Sequence, residues 1–348
     1  MLRYTETHSS NTRASAVATN TERDRWTPVV NDLVPARGSF DREGAVEEQQ
    51  VRAERVGARL VLLGEPEYPA QLGTVPSPPP FLFVRGEICA EDALAVAVVG
   101  ARKATPYGLQ VSEQLAGDLA ARGVTVISGF ARGVDSAAHR GALGVGGRTL
   151  AVLGSGVDVI YPPENRRLAA RVIERGALVS QLPMGAPPLA EHFPLRNRTI
   201  AGLALGTVVV EATERSGALI TAGHAGELGR EVFAVPGNIT SETSRGANDL
   251  IQDGAKLVQS WEDVAAELPE VWRRCLVTPK PQAPPEPFPQ GEAGRLLALI
   301  GEGPLHVADL IERSGIPSGR AAALLVTLEL QGWIRQLPGK LYVRAKLS

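Results

Sequence analysis

The chain has 348 residues, 44% of them hydrophobic, which is enough for full-sized cores and excludes wholesale disorder. Its 36 basic and 38 acidic residues leave a net charge of −2, which excludes nucleic-acid binding by bulk charge but not by a local basic patch. Cys89 and Cys275 lie far apart, the five histidines show no ligand spacing and HExxH is absent, so neither a metal nor another cofactor is expected.

In chain order, residues 1–41 are rich in Ser, Thr, Asn and Arg and are expected to be poorly ordered, with no apolar export segment. Residues 42–93 hold one helix, 42–57, and two short apolar runs, 60–63 and 81–85, that read as strands. A regular pattern occupies 94–278: apolar runs at 95–99, 124–128, 149–153, 177–180, 207–210 and 231–235, with a last short one at 256–258. Stretches of helical period, such as 107–121 and 165–175, separate most of them. Continuous apolar strands alternating with helices predict an α/β domain, a Rossmann-like doubly wound and mostly parallel sheet. Six prolines within 279–290 mark a semi-rigid linker. Residues 291–348 read as three helices (292–301, 306–314, 317–331) and a hairpin (333–337, 341–344), which predicts a winged helix. The apolar stretches near 93–101 and 200–210 fall short of the ~18 residues of a membrane span, and the expectation is a cytoplasmic protein without membrane contact.

Ligands of doubly wound sheets bind outside the carboxyl ends of the strands, so the residues after each strand carry the functional information. After the first core strand stand Gly100, Ala101, Arg102 and Lys103, followed by Thr105 and Pro106 as helix cap and first turn. This is neither GxGxxG nor a Walker A loop. After the second stand Ser128, Gly129, Phe130, Ala131, Arg132 and Gly133, a candidate nest of backbone N–H groups for an anion, with Asp135 equally readable as a helix cap. After the third, Gly154-Ser155-Gly156-Val157-Asp158 leads to Tyr161 and then to Arg166 and Arg167; Asp158 and Asn165 read equally as turn residues. The densest candidate is Phe193, Arg196, Asn197 and Arg198, a stacking face with two arginine forks, or else a helix entry with solvated arginines. Ser216 and Gly217 open the helix after the next strand. Together the loops predict an extended anionic ligand. No catalytic set emerges; Glu211 is the one carboxylate considered for chemistry, and holding an arginine or a backbone turn is its favoured role.

Seven ordered motifs then carry a resemblance: Val98-Val99-Gly100-Ala101-Arg102, the Ser128–Asp135 loop, Gly154 through Pro162, Phe193 through Ile200, Ser216 through Ala222, Phe233-Ala234-Val235-Pro236-Gly237 and Asn248-Asp249-Leu250-Ile251. In this order they resemble the DNA processing protein A family (DprA, also called Smf) over roughly residues 60–260. The resemblance implies a non-enzymatic protein that binds and protects incoming single-stranded DNA during natural transformation and helps to load the RecA recombinase. It implies a homodimer with self-association near 218–228 and 247–251. It also implies a pocket built from 100–102, 128–133, 161–167 and 193–198. Glu164 stands where a basic residue would strengthen the contact, which shifts that role to Arg166 and Arg167. The family's N-terminal helical module has no matching apolar pattern in residues 1–41.

In the winged helix the third helix has one basic residue, Arg320, which is poor equipment for reading a major groove. Auxiliary contact, including any to duplex DNA, is therefore expected from the wing, at Arg335, Lys340 and Arg344. Two other functions stay in view. One is a phosphoribohydrolase acting on nucleoside monophosphates, although the required PGGxGT-type loop reads Thr213-Glu214-Arg215-Ser216-Gly217; the other is a sequence-specific regulator led by the winged helix.

Overall fold

In the computed structural model, residues 42–278, 289–301, 303–337 and 339–344 are described. The expected disorder of 1–41 and most of the linker, 279–288, lie outside them. The chain divides into two compact units, residues 1–278 and 279–348.

The first unit is built on a nine-stranded sheet of order β1-β2-β6-β5-β4-β3-β7-β8-β9. Its strands are β1 (Ala58–Leu62), β2 (Phe81–Gly86), β3 (Ala95–Val99), β4 (Thr125–Ser128), β5 (Thr149–Val152), β6 (Gly176–Ser180), β7 (Gly206–Val209), β8 (Glu231–Ala234) and β9 (Lys256–Leu257). From β3 to β9 every pairing is parallel, and the order reverses around β3. The β1–β2 hairpin extends the sheet by pairing antiparallel with β6, Phe83 opposite Ser180. Runs such as Ala95–Val99 are apolar throughout because both faces are covered, as expected for buried parallel strands. Period two still divides them: Ala95, Ala97 and Val99 join one core, Val96 and Val98 another.

The helices are α1 (Arg42–Val56), α2 (Ala70–Gly73), α3 (Pro106–Ala120), α4 (Val134–Gly144), α5 (Arg166–Arg175), α6 (His192–Leu203), α7 (Gly217–Glu227), α8 (Glu242–Gln252), α9 (Trp261–Glu267) and α10 (Glu270–Arg273). On one face α2, α6, α7 and α8 contribute Leu72, Ile200, Ala218 and Ala247 to the core. On the other, α3, α4 and α9 supply Leu119, Ala138 and Val264, while α1 and α5 supply Ala53 and Val172 around Phe81 and Phe83. Local chemistry sets the starts: Thr105 caps α3 by accepting from Gly108 N at 3.2 Å, with Pro106 in the first turn.

The second unit contains α11 (Gly291–Leu299), β10 (Leu305–His306), α12 (Val307–Ser314), α13 (Ser318–Leu330), β11 (Ile334–Leu337) and β12 (Leu341–Arg344). Its sheet has the order β10-β12-β11, and Leu297, Leu310, Leu325 and Trp333 fill the core. This is the expected winged helix, with the two-residue β10 as an addition. Among the described residues no helix is long and apolar enough to cross a membrane.

Candidate nucleic-acid interface

A small cleft, partly open to solvent, lies at the carboxyl edge of the sheet. Its walls are Arg102 from the loop after β3; Gly129, Ala131 and Arg132 after β4; Gly154, Ser155, Tyr161 and Pro162 after β5; and Pro188 and Phe193 at the entry to α6. Three of the loops singled out in the sequence therefore converge with the α6 entry. Ser216 and Gly217, after β7, do not reach the cleft: the Ser216 hydroxyl caps α7 at Ala218 N, and Gly217 O accepts from Asn197. Glu211, just after β7, does not line the cleft either. Its carboxylate accepts from Thr105 N at 2.9 Å and from the Thr105 hydroxyl at 2.6 Å, with 2% of the residue exposed. Each carboxylate oxygen is thus held by Thr105, which is the backbone-turn role.

The arginines at and behind the cleft divide into two kinds. Arg102 is exposed, and its guanidinium lies 4.9 Å from the centroid of the Phe193 ring, a cation–π contact. No ion pair engages it among the described residues. Arg132 is also exposed but donates from Nε to Glu164, so Glu164 masks one cation of the rim. Arg196 is a correction to the sequence reading. It is 5% exposed, its Nη1 donates to Gly129 O and to Val152 O (2.8 Å), and its Nε donates to Asn197 Oδ1. It is an internal brace joining the ends of β4 and β5 to α6, with Nη1 and Nε committed to partners within the protein. Burial lowers its pKa to about 10, opposed by nearby Asp135. Burial likewise raises the Asp135 carboxyl, which Arg196 and the hydrogen bond from Ala131 N at 3.1 Å oppose.

Further corrections follow from the same packing. Arg198 points elsewhere, donating to Pro76 O. Asn197 bridges Arg196 to Gly217 O at 3.2 Å. The Phe130 ring is fully buried beside His139 and offers no stacking face, while the Ser128 hydroxyl is buried on Val98 O at 2.6 Å. Gly100 is glycine because a Cβ would meet Val134 Cγ2 at 2.7 Å, and the loops of Ala101 and Gly133 are tied by Val134 N to Ala101 O. None of these lines the cleft, nor does the exposed Lys103. Arg166 and Arg167 are exposed on the first turn of α5, beyond the Glu164 side of the rim. Asp158 and Asn165 are turn residues, accepting from Gly185 N and donating to Phe130 O respectively. In the wing, register places Arg335 opposite Val343 but Arg344 opposite buried Ile334, so the two arginines are on opposite faces of the hairpin. Arg344 also donates to Leu297 O, and Lys340 is exposed at the turn.

The sequence reading gave no site assignment to Gly154, Ser155 or Pro188. Gly154 had a signal in its glycine-rich loop; its reason is Phe193, whose Cδ1 would lie 2.8 Å from a Cβ there. Pro188 had none. Its loop is placed through Gln49 of α1, whose side chain accepts from Met184 N at 2.7 Å and donates to Met184 O, and through the bond from Gly156 N to Ala186 O.

A doubly wound α/β domain with a cationic, glycine-lined cleft on its carboxyl edge, followed by a winged helix, is the class of protein defined here. Residues 59–269 match the family model of DNA recombination-mediator protein A, and residues 278–340 match the winged helix domain of DprA. The chain belongs to the DNA recombination-mediator protein A family. It is 42% identical over 316 residues to Protein Smf of Escherichia coli K12, spanning 88% of this chain and 83% of that protein. It is 40% identical over 215 residues to DNA processing protein DprA of Bacillus subtilis, spanning 62% and 72%. The structure of DNA processing protein A from Streptococcus pneumoniae superimposes with a TM-score of 0.59 at 40% identity over 66% of this chain and 81% of that one. That of DNA processing protein A from Helicobacter pylori, described as having a unique single-stranded DNA binding mode, gives 0.54 at 27% identity over 59% and 94%.

Proposed function

We propose that this protein binds and protects single-stranded DNA taken up in natural transformation, in the cytoplasm and as a homodimer, and helps to load the RecA recombinase onto it. The observation that carries the reading is the cleft itself: Arg102 without an ion-pair partner, Arg132 at the rim, exposed Tyr161 and partly exposed Phe193, and glycine backbone between them. Arginine forks suit phosphate, and aromatic faces accept any base, so such a cleft favours a strand without reading its sequence. The single-stranded DNA binding mode of the Helicobacter pylori relative supports the same ligand. The engagement of Glu211 with Thr105 supports binding rather than hydrolysis. In the winged helix, the ion pair of Arg320 with Glu292 supports an auxiliary role for that unit.

The test is fluorescence anisotropy of a labelled single strand of about 20 nucleotides against its duplex over a salt series, because each phosphate contact to a single strand contributes about 0.7 to the log–log slope. Preference for the single strand is expected, and Arg102→Ala should lower the slope by about 0.7. Equal binding of strand and duplex, or an unchanged slope in the variant, refutes the reading. Addition of RecA then tests loading, by the rate at which recombinase covers a strand already bound by this protein.

A further inference from the structure

The helix α5 carries four arginines in ten residues: Arg166, Arg167, Arg171 and Arg175. All four are exposed, whereas Ala169 and Val172 on the opposite side are buried against the sheet. Arg167, Arg171 and Arg175 recur at every fourth position, so they form one row, with about 6 Å of helix rise between successive members and about 12 Å along the whole row. Among the described residues no ion pair engages any of them, although Glu174 lies on the same exposed helix surface.

Helix stability does not account for this row. Like charges four residues apart repel, and Arg166 and Arg167 occupy the first turn, where the macrodipole disfavours cations. A general excess of arginine explains their number but not their alignment on the exposed side of one helix. The course of the helix supplies the reason. It begins next to the cleft, where Asn165 donates to Phe130 O and the Ser136 hydroxyl and Glu164 pairs with Arg132. It ends where Gly176 opens β6 opposite Thr149, the first residue of β5, at the amino edge of the parallel sheet. The row therefore runs from the rim of the cleft across the sheet toward its other edge.

We propose that the α5 row is a second contact segment for the nucleic-acid backbone, carrying the strand away from the cleft through Arg171 and Arg175. This rests on the reading of the cleft as a single-strand site. Regular, unpaired cations on a rigid helix fit the repeating phosphates of a strand and carry no means of reading bases, so the segment adds length-dependent affinity without specificity.

The test uses the full chain with the double variant Arg171→Gln/Arg175→Gln and two labelled strands, of about 5 and about 20 nucleotides, the shorter matching a minimal site. Affinity for the short strand should be unchanged. The long strand should bind with a slope lower by about 1.4, which is about fivefold weaker binding per lost contact at 0.1 M salt relative to 1 M. Equal loss on both strands, or no loss on either, overturns the proposal. The cleft is judged separately by Arg102→Ala, which should weaken both strands; if it weakens neither, the reading of the cleft fails. Both substituted arginines are exposed, and a melting temperature no lower than that of the unsubstituted protein verifies that the double variant is folded.

Discussion

Arg102 and Arg196 are equivalent in a sequence reading and opposite in the structure, which makes their substitution by methionine the sharpest test of the site. Arg196→Met removes the donors to Gly129 O and Val152 O and leaves the Asp135 carboxyl buried without its cation. Leaving a buried acceptor without its donor costs about 1–3 kcal/mol, so the two carbonyls together account for about 2–6 kcal/mol. At about 2–4 °C per kcal/mol for a domain of this size, the first unit should melt about 4–24 °C lower. The deficit should shrink as pH falls. Burial already raises the Asp135 pKa, the folded variant holds the proton more firmly still, and a neutral carboxyl needs no partner. Asp135→Asn in the same background should accordingly recover part of the loss, with the coupling read from a double-mutant cycle. Arg102→Met, at an exposed site, should change stability by less than about 0.5 kcal/mol but lower the single-strand salt slope by about 0.7. Differential scanning calorimetry and anisotropy on the same preparations measure both. The reasoning is refuted if Arg196→Met melts normally and loses the same slope as Arg102→Met.

Glu164→Gln should free Arg132 from an exposed pair, and since solvent and salt screen such pairs, single-strand affinity should rise only modestly, and more at low salt than at high; an unchanged dissociation constant would show that the pair does not mask the rim. His139 is fully buried, and burial, reinforced by Arg140 and Arg196, lowers its pKa to about 3. The folded state therefore resists protonation, and its stability falls as pH drops below about 6.5, by about 2 kcal/mol at pH 5. His139→Gln should remove that component from the difference between denaturation curves at pH 7 and pH 5, and an identical difference in both proteins would contradict it. Gln49→Leu should speed hydrogen exchange at the Met184 amide and weaken single-strand binding through the Pro188 wall; slow exchange with altered binding would break that link.

The architecture of the main sheet was legible because its strands are buried on both faces. Runs such as Ala95–Val99 can only be central strands of a covered parallel sheet, and the capped start at Thr105-Pro106 places the following helix. Glycines and arginines after the strands likewise located the edge that carries the cleft. Which of those side chains reach a ligand was decided by tertiary packing. Arg196 and Arg198 are two residues apart on α6, so the helix turns them about 200° from each other: one into the sheet ends, the other toward Pro76. Phe130 and Phe193 have the same chemistry, yet the backbone of the first, at a φ of 61°, directs its ring into the core, and the second stays at the cleft beneath Arg102. The pairing of the β1–β2 hairpin with β6 and the clip of Gln49 on Met184, 135 residues apart, depend on contacts between distant segments that no local spacing records. Composition and periodicity determine which elements form and where a ligand edge must lie, because these follow from backbone geometry and burial. The direction of each charged side chain follows from the desolvation and hydrogen-bond partners it meets once the loops are assembled, and only the folded chain supplies those.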